Sequence, residues 1–201
     1  GDRERAKKIM RYAKDLGINM MRWEGKFVDD DMLVLADREG MPTMHGLMCC
    51  GSWEQWSLWN EEDRNVARET LTSVTREMRA HPSTFLWANG SDGLPPDDLL
   101  AEYNGALKAA HWQNPVVDTV SARFRDWDGI HMIGPYSWRA PALWFNPDIP
   151  NHRGSVAEEG NDETIPTLES IKKFILEDKL WPISDVWEMH ACAVPSMRKL
   201  E

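Results

Sequence analysis

Short apolar segments of strand-like composition alternate with amphipathic, helix-like segments along most of the chain. The seven strand candidates are residues 18–25, 41–50, 83–89, 115–123, 131–138, 154–160 and 181–191. The helix candidates are residues 2–16, 29–39, 61–79, 96–110 and 165–176. This alternation predicts βαβ units and a parallel sheet. A (β/α)8 TIM barrel has eight strands and typically about 250 residues, so we predict an α/β fold that is an incomplete barrel without its first strand.

Length and charge narrow the possible partners. The 201 residues can build one hydrophobic core, and we predict a single domain over residues 1–201. The net charge of −10 argues against nucleic acid as a partner. Since no segment reaches the roughly 18 consecutive apolar residues of a membrane span, no membrane partner is expected either. The opening residues predict a charged helix rather than a signal peptide, so the chain is intracellular or any targeting segment precedes this sequence.

The usual signatures of metal and serine chemistry are missing from the sequence. Its three cysteines have neither metal-ligand spacing nor a disulfide framework. Cys49 and Cys50 are adjacent, and because a disulfide between neighbours is rare, we predict that they and Cys192 are free thiols. The six histidines show no HxxxH spacing, and Ser91 lies in no GxSxG motif. We therefore predict no metal site.

The segment around Asp92 carries the clearest functional signal. A run of strand-forming residues, 84–88, passes directly into the polar sequence Asn89-Gly90-Ser91-Asp92-Gly93. The pattern predicts a buried parallel strand with a carboxylate beyond its carboxyl end, which is where α/β barrels place their catalytic groups. An ordinary turn with a solvated aspartate is the alternative interpretation.

Five motifs together resemble the catalytic barrel of glycoside hydrolase family 2, in its exo-β-D-glucosaminidase-like branch. The motifs follow in the same order and with similar spacing: MRWEGK (21–26), MCCGSWEQW (48–56), NGSD (89–92), MIGPYSW (132–138) and AEEGNDETIPTLESIKKF (157–174). The similarity extends over nearly the whole chain, from the second barrel strand through the eighth. The resemblance implies a retaining hydrolase that needs no cofactor and acts on an oligosaccharide. It also implies further domains of a longer parent chain, and an extracellular or periplasmic location.

The resemblance assigns a pair of catalytic carboxylates. The branch has Ser-Asp at the acid/base position, which here is Ser91-Asp92, and the nucleophile position falls on Glu158. Glu159 is adjacent, and a one-residue shift would exchange the two. Retaining hydrolysis requires two carboxyl groups roughly 5–5.5 Å apart, one acting as nucleophile and the other first as acid and then as base.

The resemblance also suggests how the sugar is bound. A glutamate at the position of Glu24 helps to bind the ammonium group of a 2-amino sugar; the alternative is that Glu24 only pairs with Arg22 or Lys26. Arg22 is expected to orient carboxylates. Aromatic residues in loops and at strand ends are expected to contact the sugar, although packing within the protein is the alternative for each: Trp53, Tyr136, Trp138 and Trp187.

The predicted function is therefore hydrolysis of terminal β-linked 2-amino sugars, such as glucosamine in chitosan oligosaccharides. Within the same family, β-galactosaminidase or β-mannosidase activity is an alternative. A non-catalytic, carbohydrate-binding barrel is another, because Ser155-Val156-Ala157 precede Glu158 where many members have Phe-Asn-Ser/Thr.

Overall fold

The computed structural model of the chain describes residues 2–24, 26–121, 130–131, 142, 155–156, 167–182 and 186. The chain divides into two compact units. The first comprises Gly1–Met132 with Arg153–Ala157, and the second comprises Ile133–His152 with Glu158–Glu201. None of the helices in the described ranges combines the length and the apolar character that crossing a membrane requires.

Helices and strands alternate in the first unit, as the sequence predicts. The four long helices are α1 (Arg3–Asp15), α2 (Asp30–Glu39), α3 (Glu61–Met78) and α4 (Asp97–Ala109). Three strands lie between these helices, β1 (Met21–Arg22), β2 (Thr43–Gly46) and β3 (Thr84–Ala88), and β4 (Val116–Val117) follows α4. Two short 3₁₀ turns, Gly51–Glu54 and Trp56–Leu58, occupy the loop between β2 and α3.

The four strands form a parallel sheet in the order β1-β2-β3-β4. Consecutive strands are neighbours, and α2, α3 and α4 each connect one strand to the next. This is the predicted succession of βαβ units, so the parallel α/β character of this region is confirmed. A separate parallel pair joins β5 (Ile130–His131) to β6 (Ser155–Val156). Because all strands of the larger sheet run the same way, their carboxyl ends meet at one edge.

Apolar side chains cover both faces of this sheet. On one side, Trp87 of β3 packs with Leu71 of α3 and Tyr103 of α4 in a buried cluster. On the other side, Leu86 and Ala88 of β3 pack with three buried residues, Met44, Val117 and Val120. Successive strand residues point to opposite faces, so two clusters require the continuous apolar run that β3 contains. Burial on both faces is the pattern that a barrel strand needs.

Local chemistry sets the helix boundaries. Helix α2 begins after Asp29, whose carboxylate accepts the Met32 amide, and it ends at Gly40, which has a left-handed φ of 61°. Helix α3 begins with a reciprocal capping box between Asn60 and Asp63. In the second unit, α5 (Leu168–Ile171) is shorter than the predicted helix 165–176, because the amides of Lys173 and Phe174 donate to carbonyls three residues back and tighten the turn.

His45 makes the stability of this sheet depend on pH. Its ring is buried on β2, stacks on Trp23 with centroids 5.6 Å apart, and lies 2.7 Å from the Thr43 hydroxyl. Burial, with a smaller contribution from the charge of His81, lowers the pKa of His45 to about 4. The His45 ring therefore binds a proton less readily in the folded state than in the unfolded state, where its pKa is 6.5. This stabilisation is fully present above pH 6.5 and is lost as the pH falls towards about 4.

We expect acidification from pH 7 to pH 4 to remove about 3 kcal/mol of folding free energy through His45 alone. Urea unfolding followed by tryptophan fluorescence measures this loss in wild type and in His45→Gln. The glutamine does not titrate, so the variant should lose less stability over the same range. Equal losses in the two proteins would contradict the assignment, since other groups would then account for the whole pH dependence.

Candidate active site

Two carboxylates that are far apart in the sequence meet at the carboxyl edge of the sheet. Glu24 follows β1, and Asp92 follows β3. One carboxylate oxygen of each residue, together with the sulfur atoms of Cys49 and Cys50 beyond β2, forms a group whose members all lie within 4.8 Å of one another. Glu24, Cys50 and Asp92 are exposed, while Cys49 is half-buried. The strand order thus creates a small accessible cluster at the position where an α/β barrel carries its chemistry.

Arg22 and Ser91 hold Glu24 in place. The Arg22 Nη2 atom donates to Glu24 Oε1 at 2.9 Å and to Ser91 Oγ at 2.5 Å. The Ser91 hydroxyl in turn donates to the same Glu24 oxygen. The ion pair between Glu24 and Arg22, which was the alternative role for Glu24, is therefore present. Glu24 nevertheless also lies close to Asp92. The ion pair fixes the Glu24 carboxylate between β1 and the loop that follows β3.

Close backbone packing fixes the loop that carries Asp92. A Cβ atom at Gly90 would lie 2.4 Å from the Gly93 carbonyl oxygen, so the turn has room for glycine alone. The Ser91 carbonyl accepts from the Thr119 hydroxyl at 3.1 Å. Ser91 is buried, whereas Asp92 is exposed. The backbone is thus held firmly while the Asp92 carboxylate reaches solvent.

Glu54 is a site residue that the sequence analysis missed. Its Oε1 atom accepts a hydrogen bond from the Ser91 backbone amide at 2.7 Å. The Trp56 ring packs closely on the same loop, since a Cβ atom at Gly93 would lie 2.9 Å from it. Burial raises the pKa of Glu54, and the charge of Asp92 adds to that effect, while the amides of residues 91–93 oppose it. An acidic residue between the two tryptophans of GSWEQW was the available signal, although its partner could not be read from the sequence.

Cys49 and Cys50 form a disulfide, which corrects the prediction of free thiols for this pair. The peptide bond between them is cis, and their Cα atoms are 3.3 Å apart. The prediction relied on the rarity of disulfides between adjacent cysteines. Because the two sulfurs are bonded to each other, neither is a thiolate that could bind a metal ion together with Glu24 and Asp92.

Trp53 lies in the same loop but packs against its own neighbours. Its ring meets that of Trp59 edge-on, with centroids 6.0 Å apart. Both tryptophans line a surface pocket of about 390 Å³ together with the exposed side chains of Leu58 and Val66. Contact between Trp53 and a sugar therefore stays a prediction.

Several predicted site residues lie outside the described residues. They are the nucleophile position and its neighbour, Glu158 and Glu159, and the aromatic candidates Tyr136, Trp138 and Trp187. Their assignments stay predictions.

No protein-family model matches the chain. Curated relatives nevertheless resemble it over most of its length: the exo-β-D-glucosaminidase of Streptomyces avermitilis is 34% identical over 185 residues. This match covers 86% of the chain and 20% of the relative. The chain thus spans about a fifth of the length of that enzyme.

Solved structures of exo-β-D-glucosaminidases also resemble this chain. The exo-chitosanase CsxA of Amycolatopsis orientalis superposes with a TM-score of 0.78 and 28% identity, covering 92% of this chain and 24% of CsxA. CsxA variants with an aspartate or a glutamate replaced by alanine were solved in complex with PNP-β-D-glucosamine. The β-D-mannosidase of Dictyoglomus thermophilum, with a TM-score of 0.67 and 21% identity over 96% of this chain and 26% of its own, shares the fold. These likenesses confirm the resemblance of the chain to the exo-β-D-glucosaminidase-like branch of glycoside hydrolase family 2.

Proposed function

We propose that this chain is part of the catalytic (β/α)8 barrel, from its second strand to its eighth, of a retaining exo-β-glycosidase that removes terminal β-linked glucosamine from chitosan-type oligosaccharides. The observation that carries the proposal is the approach of a Glu24 carboxylate oxygen to within 4.8 Å of one on Asp92. Two carboxylates at this spacing suit adjacent substituents of one pyranose ring. The amino group at C2 would face Glu24, and the glycosidic oxygen at C1 would face Asp92.

Each residue then has a defined role. Glu24, held by Arg22 and Ser91, attracts the ammonium group of the sugar, because a charge-assisted hydrogen bond is about twice as strong as a neutral one. Asp92 protonates the departing oxygen and later removes a proton from water, while Glu158 attacks the anomeric carbon. The exo-β-D-glucosaminidase relatives support the choice of sugar. The CsxA variants solved with PNP-β-D-glucosamine replace an aspartate and a glutamate, the same two residue types as the proposed pair.

The Arg22–Glu24 ion pair favours a second candidate, a hydrolase of neutral β-glycosides such as β-mannosides. An arginine that already neutralises Glu24 weakens its pull on a cation, and the carboxylate could then accept hydrogen bonds from sugar hydroxyls instead. β-Galactosaminidase activity differs from the leading proposal only in the preferred orientation of one hydroxyl group.

The test compares nitrophenyl β-glycosides of glucosamine, galactosamine, glucose and mannose, using the protein that contains this sequence. We expect wild type to prefer glucosamine. In Glu24→Gln, kcat/KM for the glucosamine substrate should fall by about 10²-fold, because the charged partner of the ammonium group is lost, while the values for neutral sugars should change little.

The matched control is Glu69→Gln, which removes one carboxylate charge from the exposed side of α3. This variant should leave kcat/KM unchanged for all four glycosides. A wild-type preference for mannose or glucose would overturn the role of Glu24 and favour the neutral-sugar candidate. Absence of hydrolysis for all four glycosides, with sugar binding retained, would favour a non-catalytic barrel.

A further inference from the structure

On the basis of the function proposed above, we infer that the Cys49–Cys50 disulfide is a wall of the amino-sugar pocket and contacts the ring bound between Glu24 and Asp92. The two sulfur atoms belong to the same group, within 4.8 Å, as the oxygens of both carboxylates. A sugar whose C1 and C2 substituents engage those oxygens therefore lies beside the sulfurs. Cys50 is exposed and Cys49 half-buried, so the pair is accessible from solvent beside the two carboxylates.

A role in stability is a weak explanation for this cross-link. A disulfide stabilises a fold mainly by reducing the number of conformations that the unfolded chain can adopt. This effect grows with the length of the loop that the disulfide closes. Cys49 and Cys50 are adjacent in the sequence, so they close the shortest loop possible. The bond therefore constrains few unfolded conformations, and its position in the acidic cluster becomes the more informative fact.

The chemistry of a disulfide suits the ring of a sugar. Sulfur is polarisable and forms only weak hydrogen bonds, so a disulfide presents a small apolar surface. A pyranose offers C–H groups beside its polar substituents, and these pack on apolar surfaces through dispersion. Between Glu24 and Asp92, such a surface would contact the carbon atoms while the two acids bind nitrogen and oxygen. It would also keep water away from the carboxylates, which strengthens their attraction for an ammonium group.

The first experiment replaces both sulfurs in Cys49→Ala/Cys50→Ala. If the disulfide supplies binding contacts, KM for a β-glucosaminide should rise about tenfold with little change in kcat, because contacts made equally in the ground state and the transition state act on KM alone. The inhibition constant of free glucosamine should rise by the same factor. Cys192→Ala is the matched control and should leave both constants unchanged.

Two results would overturn the inference. An unchanged KM and inhibition constant would show that the sulfurs do not touch the sugar. A fall in kcat at constant KM would assign the disulfide to the support of Asp92 instead. Neither result would affect the proposed function, which fails separately if wild type does not hydrolyse β-glucosaminides.

The second experiment needs no variant, so it holds even if the double substitution prevents folding. A small dithiol reduces the disulfide to two thiols, supplying two electrons and two protons, and is itself oxidised to a cyclic disulfide. Saturating glucosamine should slow this reduction at least about fivefold, because attack requires access to a sulfur atom. Glucose at the same concentration is the control and should protect less. Equal reduction rates with and without glucosamine would overturn the inference.

Discussion

Asp92→Asn should lower kcat/KM for a β-glucosaminide with a poor leaving group by about 10³-fold or more. Asparagine keeps the size and shape of the side chain but cannot transfer a proton to the glycosidic oxygen. The loop should not move, because the side chains of Glu54 and Thr119 hold it through hydrogen bonds to the Ser91 backbone. The Asp92 carboxylate takes no part in these two bonds. The loss would therefore report chemistry and not folding.

The dependence on the leaving group makes this prediction specific to a general acid. A nitrophenolate departs with little help from a proton, whereas the hydroxyl of a second sugar needs full protonation. The defect of Asp92→Asn should thus be much smaller for nitrophenyl glucosaminide than for chitobiose. Asp97→Asn, an exposed acid at the start of α4, is the matched control and should retain full activity. An equal defect on both substrates would contradict the role of acid/base.

Glu158→Gln should lower kcat by about 10³-fold or more for both kinds of substrate. A nucleophile is required to form the glycosyl-enzyme intermediate whatever the leaving group, so a better leaving group should not rescue this variant. Glu159→Gln is the matched control, since it removes the same charge one residue further along. Near-normal rates in Glu158→Gln together with a large loss in Glu159→Gln would transfer the role to Glu159.

The stereochemistry of the product tests the pair together. Two successive displacements at the anomeric carbon restore the original configuration, so NMR of the wild-type reaction should show the β-anomer of glucosamine forming first. Initial release of the α-anomer would require a single displacement. The assignment of Glu158 as a nucleophile would then be wrong, even if both variants were inactive.

The sequence by itself determined the architecture of the described sheet and the general location of its chemistry. Alternating apolar and amphipathic segments predicted β1 to β4 with their intervening helices, and Gly40 predicted the end of α2. These features depend on residues close in the chain, whose preferences act locally. The pattern around residues 84–93 placed Asp92 beyond the carboxyl end of a strand, whereas the role of Glu24 came from the resemblance to glycoside hydrolase family 2.

Only the tertiary structure decided what each acid touches. The pairing of Arg22 with Glu24 was foreseen as an alternative, but the bonds of Ser91 to Arg22, Glu24 and Glu54 join segments that are far apart in the sequence, and no local pattern encodes them. The disulfide between Cys49 and Cys50 likewise opposed the expectation for neighbouring cysteines. Local sequence sets backbone preferences over a few residues, whereas contacts between loops depend on how several strands pack at once. That physical difference explains why the elements could be predicted and the contacts between their loops could not.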